Sequence, residues 1–152
     1  MHTRDLTRQA IIAAAYAAIT IGLEPISYGA VQFRLAEMLV VLPFLNKKHT
    51  IGLTIGCFLA NMASPLGIYD MVCGVLATFV VCVAVSRLRS MKFIAPISAS
   101  VNGVVVGLML HVVLGVPLLA AMVSVAIGQF VTVSMGVAAV ALMRSRLAFL
   151  EE

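Results

Sequence analysis

Between Gln32 and Pro43 the chain reads Gln32-Phe33-Arg34-Leu35-Ala36-Glu37-Met38-Leu39-Val40-Val41-Leu42-Pro43, an amide, a guanidinium and a carboxylate within six residues followed by an apolar run. Such groups are costly in hydrocarbon, and ionisable residues at the edge of or inside a membrane span face a protein interior or an aqueous cavity. If the chain is helical from Gln32 onward, Arg34 and Glu37 stand at i and i+3, with both head groups on one face about a turn apart. Read functionally, the pair is the default site of the molecule; the plainer reading is an intrahelical ion pair that helps a second helix insert.

Other polar residues interrupt the apolar runs or stand at their outer ends: Asn61, Asp70, Asn102 and Gln129 join Gln32, Arg34 and Glu37. A planar ligand with several donors and acceptors would use such a set of amides and carboxylates. Taken singly, each Asn or Gln is better explained by an interhelical hydrogen bond worth about 0.6 kcal/mol. Tyr28, Phe33 and Tyr69 offer rings for stacking on a flat base, although an interface belt accounts for the two tyrosines equally well. Cys57, Cys73 and Cys82 read as small buried hydrophobes, and neither they nor the scattered His2, His49 and His111 have metal-ligand spacing. The chain has no GxxxxGK[ST] phosphate loop, no GxSxG and no HExxH, and no acidic pair in a cytoplasmic loop suited to magnesium. An enzyme is disfavoured, and no cofactor or metal is expected.

The elements that must position these residues follow from composition. Of 152 residues, 62% are hydrophobic and 11% charged, and the mean hydropathy is +1.14. A soluble domain carries about 25% charged residues, so the chain is expected to be an all-α integral membrane protein, one membrane domain over residues 1–152. Six transmembrane helices are predicted: Leu6 to Leu23, Gln32 to Leu45, Thr50 to Ala63, Tyr69 to Ser86, Phe93 to Leu114 and Pro117 to Arg144. Pro25, Pro43, Pro65 and Pro117 lie at or near predicted ends, where proline is tolerated. The second and third helices, at about 21 Å each, fall short of a ~30 Å hydrocarbon core and are expected to pack inside, tilt, or stop beside a cavity.

Orientation follows from the basic residues. With a cytoplasmic N-terminus, Arg4, Arg8, Lys47, Lys48, Arg87, Arg89, Lys92, Arg144 and Arg146 all lie inside, which predicts a multi-pass protein of the cell membrane with both termini cytoplasmic. The first apolar run is kept as a span and not a signal peptide, because its removal would reverse that pattern. Topology accounts for the net charge of +4, and no basic run with interleaved aromatics points to nucleic acid. Outside, Glu24, Glu37 and Asp70 outnumber Arg34, a balance that would attract a cation. Small residues recur at Ala10, Ala14 and Ala18 with a second row at Ala13 and Ala17, and such rows let another helix, intramolecular or from a partner, approach closely. Gly103 with Gly107, and Gly128 with Gly136, favour intramolecular contacts.

The order Tyr28-Gly29-Ala30-Val31-Gln32-Phe33-Arg34-Leu35-Ala36-Glu37-Met38-Leu39, then Leu42-Pro43-Phe44, Gly52 to Asn61, Gly74-Val75-Leu76-Ala77-Thr78 and Asn102 to Gly107, resembles the QueT family of queuosine-precursor transporters. The resemblance covers nearly the whole chain, with QFRxxE as its most specific core. It implies a six-helix substrate-binding S component of an energy-coupling factor (ECF) transporter. Such a subunit captures a queuosine precursor, 7-aminomethyl-7-deazaguanine, and associates with a transmembrane T component and two cytoplasmic ATPases. Within that resemblance Glu37 would accept paired N–H donors of the base, and Arg34 would orient it or donate to the ligand carbonyl. Gln32, Asn61, Asn102 and Gln129 would complete the edge contacts, while Asp70 or Glu24 would receive the ammonium. Ala10, Ala14 and Ala18 would face the T component. One departure stands out: Gln129 follows Gly128 where the family is expected to carry a glutamate, a difference that would matter less to the uncharged 7-cyano base. Two alternatives stay open, an S component for another small molecule such as a vitamin or purine-like base, and a structural or assembly protein of the membrane.

Overall fold

The computed structural model describes residues 3–23 and 33–143; the expectations placed on Glu24, Tyr28 and Gln32 lie outside them. Among the described residues the chain is helical, without strands. Helix α1 spans Thr3–Gly22. Helix α2 spans Leu35–Leu45: Leu35–Val41 is wound as a 3-10 helix and Leu42–Leu45 as an α-turn, with Pro43 at its start where a missing N–H costs nothing. Helices α3 (His49–Asn61), α4 (Ile68–Val85), α5 (Ile94–Leu114, entered through a 3-10 turn at Met91–Phe93) and α6 (Leu118–Met143) complete the order. Gly67 and Gly115, both at positive φ, begin α4 and end α5.

Three of these helices, α4, α5 with its lead-in turn, and α6, are long and apolar enough to cross a membrane. Their 18, 24 and 26 residues correspond to about 27, 36 and 39 Å against a hydrocarbon core of ~30 Å. Large apolar side chains, among them Val72, Leu76, Phe79, Leu119, Val123 and Ile127, cover their outer faces. That is a surface for lipid, not water.

The helix ends all fall within three residues of the predicted ones, but the start of α2 differs in kind. There Arg34 is extended (φ −86°, ψ 96°) and precedes the helix, and the backbone N–H of Glu37 donates to the Arg34 carbonyl in a 3-10 bond of 3.0 Å. The expectation of one regular helix carrying both head groups on a common face is therefore corrected: the change from extended to 3-10 backbone sends the two side chains to different neighbours.

Helix α2 is interior. None of its eleven residues is exposed, and it packs against α1, α3, α4 and α6. Its approach to α6 needs a bare backbone at Gly136, where a Cβ would run into the Met38 carbonyl. Val40, Val41, Leu53, Val81, Val85, Ile94 and Val133 close the core around it. Gly103 and Gly107 of α5 lie against Ala126 and Met122 of α6, so that row serves an intramolecular contact.

Helix α1 turns Gln9, Ile12, Ala13, Tyr16 and Thr20 inward against α3 and α2. Gln9 bridges to α3: its amide nitrogen lies 3.2 Å from His49 Nδ1, and its carbonyl accepts from the Gly52 N–H at 3.3 Å. Asp5 and Lys48 add an ion pair of 2.7 Å at the same end. The opposite face of α1 leaves Ala10, Ala14 and Ala18 exposed.

Candidate functional site

The interior polar residues gather where α2 meets α1, α3, α4 and α6, in two linked halves. In the first, Arg34 Nη2 donates to Asp70 Oδ2 at 2.5 Å, with both side chains buried. Asp70 sits in the first turn of α4, where the helix dipole favours a negative charge. Ser64, in the link between α3 and α4, donates to the same carboxylate oxygen at 2.8 Å. Asn61, the last residue of α3, donates to the Asp70 backbone carbonyl at 2.8 Å.

The second half is centred on Glu37, which is 1% exposed. Tyr16 of α1 donates its hydroxyl to Glu37 Oε1. Thr78 of α4 donates to the same oxygen at 3.2 Å, and Gln129 of α6 donates its amide to Oε2 at 2.9 Å. Donors from three helices thus converge on one carboxylate, as burial of such a group demands. A chain joins the halves: Asn61 Nδ2 lies 3.5 Å from Cys57 Sγ, and Cys57 Sγ lies 3.3 Å from Thr78 Oγ1. Cys57 is buried, as expected, yet it is also a link in this network and more than an apolar filler.

The cluster depends on Gly74. A Cβ there would lie 2.6 Å from Asn61 Nδ2, 3.1 Å from Asp70 Oδ1 and 3.2 Å from Arg34 Nη1, so the polar groups stand on bare α4 backbone. Among the described residues, Asn61 Oδ1 and Asp70 Oδ1 are buried without a hydrogen-bond partner. Both are acceptors. With one guanidinium and two carboxyls, the cluster has a formal charge of −1, and its open positions suit a ligand that presents N–H donors.

Of the sequence-predicted site residues, Arg34, Glu37, Asn61, Asp70 and Gln129 come together here. Asn102 does not share a hydrogen bond with them: its amide donates to the Ser98 carbonyl of its own helix at 3.1 Å. Phe33 is half-buried, and Tyr69 is exposed on α4 beside apolar residues of α5. The plainer reading of Arg34 and Glu37 as an intrahelical pair is overturned, since the Arg34 guanidinium bonds Asp70 while the Glu37 carboxylate bonds three neutral donors. Sequence reasoning missed Tyr16, Ser64 and Thr78. For Tyr16 a signal existed: it is the lone phenol in an Ala/Ile-rich span, on the stripe of Gln9, Ile12, Ala13 and Thr20, and a buried hydroxyl needs a partner. Among the described residues, no three His, Cys, Asp or Glu side chains converge to hold a metal.

Fold and site together define a helical membrane protein with ionisable groups enclosed by its helices. The family model described as QueT transporter matches residues 6–145, and the chain belongs to the QueT transporter family. The Queuosine precursor transporter QueT of Lactococcus lactis subsp. cremoris (strain MG1363) is 45% identical over 80 residues, a match covering 51% of this chain and 47% of that protein. The matched stretch thus spans about half the length of this curated relative. No solved structure matches.

Proposed function

We propose that this chain is the substrate-binding S component of an ECF-type importer and captures 7-aminomethyl-7-deazaguanine, a queuosine precursor, for uptake. The observation that carries the reading is Glu37, a buried carboxylate held at the meeting of α1, α2, α4 and α6 by donors that a ligand's N–H groups can join or replace. Neighbouring N–H donors on the base edge match a carboxylate's paired oxygens. Asp70 and Asn61 each keep an oxygen for the aminomethyl ammonium, and the formal charge of −1 suits one cation. Gln129 fits this arrangement, because a glutamate in its place would set a second carboxyl against Glu37. The chain itself does no chemistry on the base in this scheme.

Energy comes from a T component and two cytoplasmic ATPases, in keeping with the missing phosphate loop. The exposed row Ala10, Ala14 and Ala18 on α1 is the surface offered to the T component. Six spans with both termini in the cytoplasm complete the proposal, supported by basic residues at the start of α1 and in the α2–α3 and α4–α5 connections.

Calorimetric titration of the purified, detergent-solubilised protein with 7-aminomethyl-7-deazaguanine, the 7-cyano analogue and guanine tests the reading. The aminomethyl base is expected to bind most tightly. Equal binding of all three would remove the role given to the ammonium, and binding of none would remove the proposed substrate.

A further inference from the structure

The hydrogen bonds around Glu37 raise a question of capacity. A carboxylate offers about four lone-pair positions, two on each oxygen. Among the described residues, Oε1 already accepts from Tyr16 and Thr78, while Oε2 accepts from Gln129 alone. A ligand edge with two adjacent N–H donors needs one position on each oxygen. Oε2 has room; at Oε1 one hydroxyl must give way.

We propose that Thr78 is the exchangeable donor: when the ligand binds, the Thr78 hydroxyl hydrogen turns from Glu37 Oε1 to the sulfur of Cys57, and the acceptor capacity freed on Oε1 is taken by a ligand N–H. The inference rests on the reading of Glu37 as the ligand's acceptor. Three observations single out Thr78. At 3.2 Å its bond to Glu37 is longer than the ordinary O–H···O range of about 2.5–3.0 Å. A second acceptor, Cys57 Sγ, already lies 3.3 Å from the same hydroxyl oxygen. Redirecting its hydrogen takes rotation about one bond, and although the Tyr16 hydroxyl also lies beside Cys57, Tyr16 is held to Glu37 more closely than Thr78 is. The hydrogen-bond balance is favourable too. Thr78 now donates to Glu37 and can receive the thiol hydrogen of Cys57; after the exchange it donates to the sulfur, and what is given up is a weak S–H donor. Thr78 thereby caps the carboxylate in the empty site and tunes how tightly a donor-bearing ligand is held.

The test is a double-mutant cycle read by calorimetry with 7-aminomethyl-7-deazaguanine on the full-length protein. Thr78→Val removes the competing donor at nearly constant volume, and Kd is expected to fall roughly threefold to tenfold. Thr78→Ser keeps the hydroxyl and is expected to bind like the parent. Cys57→Ala removes the fallback acceptor and is expected to weaken binding by about threefold, a loss that vanishes when combined with Thr78→Val. Thr78→Ala removes the same hydroxyl and stands in if the valine variant does not fold. Unchanged or weaker binding by the hydroxyl-less variants, or a Cys57→Ala effect of equal size in both backgrounds, overturns the exchange. Failure of the parent to bind the base would instead overturn the proposed substrate, and this inference with it.

Discussion

At the residue scale, Asp70 gathers three donors: the Arg34 guanidinium and the Ser64 hydroxyl on its side chain, the Asn61 amide on its backbone. Removing the anionic half of a buried ion pair costs about 3–5 kcal/mol, mostly because a desolvated charge loses its partner. Asp70→Asn should therefore lower the thermal midpoint of the detergent-solubilised protein by several degrees or abolish folding, as measured by fluorescence-detected melting. A midpoint equal to the parent's would show that the pair does not hold α4 to the start of α2. That Arg34 and Glu37 would be enclosed was legible in the sequence, because ionisable groups in an apolar chain need an enclosed place. Their partners were not. Arg34 finds Asp70 across 36 positions of chain, and Glu37 finds Gln129 across 92. Tyr16 and Thr78 are ordinary residues of apolar helices until the fold brings them to the carboxylate. Asn102 shows the converse, since an amide of the same type turns back on its own helix.

At the scale of elements, the lengths of apolar runs gave helix positions well, because a run bounded by Gly, Pro or charge leaves little freedom in where a helix ends. The short second helix is interior, in line with its length. Its winding was not legible: nothing in Leu35-Ala36-Glu37 marks a 3-10 turn, which is fixed by the neighbours that Arg34 and Glu37 must reach. Helix α1 divides its faces sharply, with Ala13 and Tyr16 inward and Ala10, Ala14 and Ala18 outward. On the proposed assembly, Ala14→Leu should prevent co-purification of the T component, since a larger side chain holds a partner helix away. Ligand affinity should stay within about twofold of the parent. Undiminished co-purification would remove this row from the interface.

For the whole molecule, charge and apolarity are distributed as a bilayer requires. Described basic side chains other than Arg34 lie at the start of α1 or in the connections at Lys47, Lys48, Arg87, Arg89 and Lys92, while α4, α5 and α6 are clad in aliphatic and aromatic residues. The proposed orientation predicts that reporters fused to either terminus are accessible only from the cytoplasm; a reporter at one end labelled from outside intact cells would reverse it. Membrane class was legible from composition alone. The meeting of four elements around one carboxylate depends on tertiary contacts such as Gly136 against Met38, which no local pattern encodes.

The central claim is that Glu37 holds the ligand, and its most direct test is calorimetric titration of the parent and Glu37→Gln with 7-aminomethyl-7-deazaguanine. Truncating the charge of a buried hydrogen-bonded pair costs about 2–5 kcal/mol, so the variant should bind well over tenfold more weakly while still folding. A folded Glu37→Gln protein that binds the base as tightly as the parent would contradict it.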